Sequence, residues 1–270
     1  MERQIISSRQ NPLVKQVCAL CDKKGREKQG LFRFDGAKLL EEAISSEATL
    51  EYVFCSQSIS ERASSAVSRA VSEGRIGQDR VIEVTESVFA KMSEERAPEG
   101  VIAVARFMDS LHTRAGGKCP QKILIAQSLR DPGNLGTVMR SAYALGMDAL
   151  VLTDDCADIY NPRTLRAAMG AAFKLTTRTL CGEQLPEFIG ELRREGREVY
   201  ATALREDSRD VRDVRLRAGD CFVIGNEGHG LPERTVDACS APVIIPMREG
   251  AESLNAAAAA AICIWETVRA

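Results

Sequence analysis

Five polar residues in the second half of the chain could carry chemistry: Asn134, Arg140, Glu227, Ser253 and Asn255. Asn134 lies in a loop with turn chemistry at Asp131-Pro132-Gly133, and Arg140 falls in the first two turns of the helix that follows. An arginine there offers a planar fork to a phosphate or carboxylate; otherwise it is a surface group or a partner for Glu227. Glu227 sits inside GNEGHGL, among glycines at 225, 228 and 230. A glycine-rich turn lets a ligand come close to the backbone. A carboxylate in that place does not suit a phosphate cradle, and the glycine order is not that of a dinucleotide fingerprint. Ser253 and Asn255 precede an alanine-rich run and could cap its helix. The only histidines are His112 and His229, so neither a catalytic triad nor a histidine metal site can be built.

These residues need a scaffold that gathers distant segments. Cys221–Ile224 and Pro242–Ile245 are short apolar runs that stop abruptly in polar or glycine-rich sequence, as buried parallel strands do. KILIAQ and ALVLT read the same way, and REVYATAL is a further strand. TVMRSAYALG reads as a helix ending at Gly146, PRTLRAAMGAAF as one opened by Asn161-Pro162, and Leu185–Glu195 as another. Strands and helices interleave as in a parallel sheet with helices on its faces. Ligands bind such sheets at the carboxyl ends of the strands, where the five polar residues fall.

The first hundred residues alternate differently. A helix starts at Asn11-Pro12, followed by LFRF (strand), GAKLLEEAI (helix), LEYVFCS (strand) and Ser60–Glu73 (helix). VIEV, TESVFAKM and GVIAVARF then give strand, helix and strand, which together make a compact α/β domain. Asp109–Gln121, with two glycines and a proline, reads as a linker. The expected division is therefore 1–108, a linker at 109–121, and 122–270. Lys23, Lys24, Arg26, Lys28 and Arg33 form a basic cluster. It is either a solvated loop of mixed charge or a patch that neutralises phosphates. Cys18 and Cys21 have CxxC spacing, but no second pair follows, so they read as core or surface thiols.

With a net charge of −2, the chain has no global basic signature. The nine scattered cysteines, the polar start MERQIISSRQ and the lack of any apolar run near the ~20 residues of a membrane span point to a reducing, cytoplasmic setting.

DPGNLGTVMRSAYALG, FVIGNEGHGL and VIIPMREGAESLNAAAAAAICIWE resemble, in order and separation, the three motifs of the SpoU/TrmH family of RNA ribose 2′-O-methyltransferases, within the SPOUT superfamily. NPRTLRAAMGAAF between the first two fits the same pattern. The first domain is similar, less specifically, to the substrate-binding domain of these enzymes, through DGAKLLEEAI after a basic stretch. The resemblance implies a parallel α/β sheet whose C-terminal segment forms a deep trefoil knot, preceded by a small RNA-binding α/β domain of ribosomal-protein-like type. It implies S-adenosylmethionine as cofactor, a homodimer, and a ribose 2′-hydroxyl in rRNA or tRNA as acceptor, with no metal or membrane partner. Carried over position by position, Gly225, Ile245 and Leu254 would meet the cofactor through backbone groups, with Thr202, Asn226 and Asn255 beside it. Asn134, Arg140, Glu227, Ser253 and Asn255 match the polar positions near the transferred methyl. The basic cluster becomes an RNA contact. One departure is visible: where the family has Val-Ser-Val-Ala or a close variant, this chain has Ala256–Ala259, which bears on packing at the subunit interface. Two other readings compete. A non-catalytic RNA-binding relative would not need the intact polar set. A nicotinamide enzyme would need GxGxxG after the first strand, which DPGNLG does not supply.

Overall fold

A computed structural model of the chain describes residues 5–46, 48–113, 120–226, 228–248, 250 and 253–269. It divides into two compact units: residues 1–108 with Tyr160–Phe173, and residues 109–159 with 174–270.

The first unit contains α1 (Pro12–Cys18), α2 (Lys23–Gln29), β1 (Leu31–Asp35), α3 (Ala37–Ile44), β2 (Leu50–Ser56), α4 (Glu61–Ser72), β3 (Val81–Val84), α5 (Glu86–Met92) and β4 (Val101–Arg106). Its sheet has the order β1-β4-β2-β3, with β4 antiparallel to both neighbours and β2 parallel to β3. Val14, Val17 and Leu20 pack with Val88, Phe89 and Met92 against Phe54, Ile102 and Val104. Asn11 caps α1 by accepting from the Leu13 N–H at 2.9 Å, with Pro12 in the first turn. The basic stretch is the helix α2, ended by Gly30 at φ +63°. The segment Tyr160–Phe173 joins this unit through its rings: Tyr160 stacks on Phe107 with centroids 4.4 Å apart, and Phe173 meets Phe34 edge-on at 5.2 Å.

The second unit supplies β5 (His112–Thr113), β6 (Ile123–Ala126), α6 (Pro132–Ala144) and β7 (Ala149–Thr153) before α7 (Pro162–Ala168), which belongs to the first unit. There follow β8 (Thr176–Leu180), α8 (Leu185–Arg194), β9 (Val199–Thr202), β10 (Arg209–Asp210), β11 (Cys221–Ile224), α9 (Glu233–Ala238), β12 (Ala241–Ile244) and α10 (Ala256–Arg269). The strand order is β10-β12-β9-β11-β6-β7-β8-β5, and every pairing is parallel. The α/β class with a parallel sheet is thus as the apolar runs require. Ile123, Ile125, Ala149, Val151 and Val223 pack on Leu185, Phe188, Ile189 and Leu192 of α8. On the other helices, α10 packs on α6 and β11.

Three local differences from the sequence reading have physical causes. β8, TTRTL, was not singled out as a strand: its residues are polar and only Thr177 and Leu180 are buried. The helix at PRTLRAAMGAAF stops at Ala168, because Met169 turns to φ +52° and the chain continues as a short 3-10 segment. Within the stretch read as a linker, His112 and Thr113 pair with β8 as β5. Residues 114–119 of that stretch lie outside the described residues.

Candidate active site

Because β12, β9, β11 and β6 are parallel neighbours, their carboxyl ends share one edge of the sheet. Thr202 ends β9, Gly225 and Asn226 follow β11, Ile245 follows β12, and the loop 127–131 follows β6 into α6. The sheet thus gathers Thr202, Gly225, Asn226, Ile245 and the approach to Asn134 and Arg140.

Each is fixed locally. The carboxylate of Asp131 caps α6 by accepting from the Asn134 N–H at 2.8 Å, so Asn134 stands in the first turn. The amide of Asn255 donates to the side-chain oxygen of Asn134 at 3.0 Å. Its own oxygen accepts from the N–H groups of Ala257 and Ala258 at 3.0 and 3.3 Å. Asn255, not Ser253, is therefore the cap of α10. One side chain starts the last helix and grips the start of α6 across 121 residues of sequence. Ser253 and Leu254 are exposed in the approach to α10. Arg140 is exposed on α6 and pairs with no acidic group among the described residues. Glu227 lies outside the described residues.

The GNEGHGL turn is closed by its own backbone: Gly230 donates to the Asn226 carbonyl at 2.9 Å, and Asn226 donates back at 3.3 Å. The side-chain oxygen of Asn226 accepts from Gly228 N–H at 2.9 Å, while its amide reaches the Ser128 carbonyl at 2.9 Å. The Thr202 hydroxyl donates to the Val223 carbonyl at 3.0 Å, which fixes the end of β9 on β11.

Among the described residues, no main-chain hydrogen bond involves Gly225, Ile245 or Leu254. Gly225 is buried and Ile245 half-buried. Buried backbone donors and acceptors are nearly always paired, so the main chain at Gly225 suits a ligand that bonds it.

The structure corrects two members of the basic cluster. Arg26 is 1% exposed, and its guanidinium donates to the carbonyls of Leu20 and Cys21 at 2.8 and 2.7 Å. Arg33 is wholly buried, donating to the Met92 carbonyl beside Asp35. Both are held inside the first unit by carbonyls that need donors, so neither meets a phosphate. Lys23, Lys24 and Lys28 are exposed on α2. Cys21 is not an activated thiol: burial pushes it up to about 11 against the opposing charge of Arg33.

Sequence reasoning passed over Ser128, Thr153 and Asp155. The Asp155 carboxylate accepts from the Ser128 hydroxyl at 2.5 Å and the Thr153 hydroxyl at 2.6 Å, directly below the loop that enters α6. The available signal was the position of Asp154-Asp155 at the carboxyl end of ALVLT.

The chain is similar to known proteins. Residues 121–265 match the model of the SpoU rRNA Methylase family, and residues 11–103 that of the MRM3-like substrate binding domain. The chain is 31% identical over 265 residues to the 23S rRNA (guanosine(2553)-2'-O)-methyltransferase RlmP of Bacillus subtilis, covering 96% of this chain and 97% of that protein. Its fold is similar to that of the AdoMet-bound rRNA methyltransferase from Sinorhizobium meliloti, with TM-score 0.83, 27% identity, and 100% and 98% of the two chains covered. The AdoMet complex of the SpoU methyltransferase AviRb from Streptomyces viridochromogenes gives TM-score 0.79 at 25% identity, covering 96% and 98%.

Proposed function

The chain belongs to the SpoU rRNA Methylase family, and from that premise we propose that it methylates the 2′-hydroxyl of a ribose in ribosomal RNA, using S-adenosylmethionine. The observation that carries the reading is the Asn255–Asn134 bond at the sheet edge where, among the described residues, no main-chain hydrogen bond involves Gly225, Ile245 or Leu254. Those groups would hold the cofactor, with Thr202 and Asn226 beside them. A bound S-adenosylmethionine supplies an electrophilic methyl on a sulfonium.

The acceptor is a weak acid and a weak nucleophile until it is oriented and its developing charge is met. Arg140 orients the ribose hydroxyl and stabilises the alkoxide that develops as the hydroxyl proton is relayed to water. Asn134, held by Asn255, and Ser253 hydrogen-bond the ribose or the cofactor's polar end. Glu227 takes its place here by motif alone, as a holder of Arg140 or the ribose. The intact polar set favours this over a non-catalytic RNA-binding relative.

The C-terminal segment is threaded as a trefoil knot in this reading. Its support is that β12 lies beyond β9 from β11 in the sheet, while α10 packs on β11 and α6. The first unit, with its four-stranded sheet between helices, is the ribosomal-protein-like RNA-binding domain. The enzyme works as a homodimer: Tyr143 on α6 and Trp265 on α10 leave 45% and 55% of their surface exposed, on two helices that pack together. Sedimentation that reads only a single chain would remove the dimer.

The test is methyl transfer from labelled S-adenosylmethionine to total RNA from a strain lacking the gene. Alkali-resistant linkages in ribosomal RNA are expected, with none in DNA of the same sequence. Cofactor binding without incorporation into any RNA or ribosomal precursor would favour the non-catalytic relative. For the first unit, Lys23→Glu, Lys24→Glu and Lys28→Glu are each expected to weaken RNA binding and lower the salt slope by about one. An unchanged slope in all three would move the phosphate contacts elsewhere.

A further inference from the structure

The loop from Gln127 to Asp131 decides where α6 begins, and it is held in an unusual way. Ser128 sits at φ +56°, a conformation that a residue with a Cβ keeps only when its surroundings hold it there. What holds it is a closed ring of bonds. The Ser128 N–H donates to the Thr153 hydroxyl oxygen at 2.9 Å. That hydroxyl donates to one oxygen of Asp155 at 2.6 Å, and the Ser128 hydroxyl donates to the other at 2.5 Å. Hydrogen bonds to a carboxylate are short and strong, as here. Arg130, in the same loop, lies 3.5 Å from Asp155. One residue further along β7's loop, the Cys156 sulfur accepts from Leu129 N–H at 3.4 Å, and Ala157 N–H donates to the Leu129 carbonyl at 2.8 Å. On the other side, Asn226 holds the Ser128 carbonyl. Three residues after Ser128 stands Asp131, the cap of α6.

We infer that Asp155 is a positioning residue for methyl transfer: by clamping Ser128 it sets the start of α6, and so the places of Asn134 and Arg140 against the turn at Gly225–Asn226. The inference rests on the proposed roles of Asn134 and Arg140. Burial opposes ionisation of Asp155, yet the hydroxyls of Ser128 and Thr153 and the Arg130 guanidinium outweigh it and hold the carboxyl below its ordinary value. The clamp is therefore charged at any pH at which RNA chemistry would be run. Asp155 touches no reacting atom in this scheme; it works through the helix.

The experiment compares Asp155→Ala, Asp155→Asn and Ser128→Ala with the full-length wild-type protein. Steady-state methyl transfer gives kcat and KM for RNA, calorimetry gives the Kd for S-adenosylmethionine, and a thermal melt monitors folding. Misplacing a reacting group by about 1 Å costs on the order of 100-fold, so Asp155→Ala is expected to lower kcat about 10- to 100-fold. KM and cofactor Kd are expected to stay within about threefold, since the ligand-facing backbone is elsewhere. Asp155→Asn restores most of the rate, because its amide can still bond both hydroxyls. Ser128→Ala, which removes one hydroxyl and leaves the carboxylate, falls between.

Unchanged kcat in Asp155→Ala overturns the inference. So does a rate loss that tracks loss of cofactor binding and of melting temperature in all three variants, which would make the clamp scaffold alone. Arg140→Ala, run in parallel, separates the two claims. If it keeps full turnover, the reading of the site fails; if it is inactive while Asp155→Ala is fully active, only the positioning role fails. The Asp155→Ala, Arg140→Ala double variant is expected to fall below Arg140→Ala by less than Asp155→Ala falls below wild type, because part of the positioning acts through Arg140 and the rest through Asn134. A further tenfold loss, by about the same factor as Asp155→Ala alone, would overturn action through Arg140.

Discussion

Arg140→Ala is expected to bind S-adenosylmethionine and RNA as the wild type does and to lose about 100- to 1,000-fold in kcat, the scale set by removing one preorganised donor from a developing oxyanion. The reason is its place. Arg140 is exposed on α6, makes no ion pair with a described residue, and packs no core, so its removal leaves the fold intact. Its charge matters only where the ribose oxygen becomes an alkoxide, which puts the loss in kcat and not in KM. Single-turnover methyl transfer at saturating RNA, beside a cofactor titration, measures both. Turnover within about twofold of wild type would remove Arg140 from the catalytic residues.

Gly225→Ala is expected to cost the protein its cofactor. A Cβ at Gly225 would stand 2.6 Å from the Gly230 carbonyl carbon, 2.8 Å from its oxygen and 2.8 Å from the Leu231 nitrogen. All three are backbone atoms, so no rotamer relieves the overlap and the GNEGHGL turn has to open. Opening it breaks the Asn226–Gly230 bridge and loosens Asn226 from the Ser128 carbonyl. Overpacking of this kind destabilises by roughly 1–3 kcal/mol. Since the main chain at Gly225 is also a proposed contact, the Kd for S-adenosylmethionine is expected to rise by at least about tenfold. Gly230→Ala is the informative contrast. Its φ of +65° strains any side chain, but no atom lies within 4 Å of the added Cβ. It should cost only about 1 kcal/mol, with the turn still closed. Wild-type cofactor affinity in Gly225→Ala, measured by calorimetry, would contradict the placement of the ligand at this edge.

The two glycines show how far spacing could be read. Gly225, Gly228 and Gly230 announced a close backbone approach, but only the folded turn distinguishes the glycine excluded by neighbouring atoms from the one needed for its φ. The basic cluster shows the converse. Lys23, Lys24, Arg26, Lys28 and Arg33 are alike in sequence. Arg26 and Arg33 are buried because the carbonyls of Leu20, Cys21 and Met92 need donors, and nothing local to the charges reveals those carbonyls.

The sequence alone determined the α/β class, the apolar strands and the edge of the sheet where chemistry belongs, because apolar runs that end in polar loops are a local signal of buried parallel strands, which the polar β8 does not give. It also determined the cap of the last helix to within two residues. Only the tertiary structure decided that Asn255 reaches Asn134, that Asp155 clamps Ser128, and that Gly225 and Ile245, whose main chains bond no other described residue, stand at the same edge. Those contacts join segments that the strand order β12-β9-β11-β6 brings side by side, and chain order does not contain that sequence of neighbours.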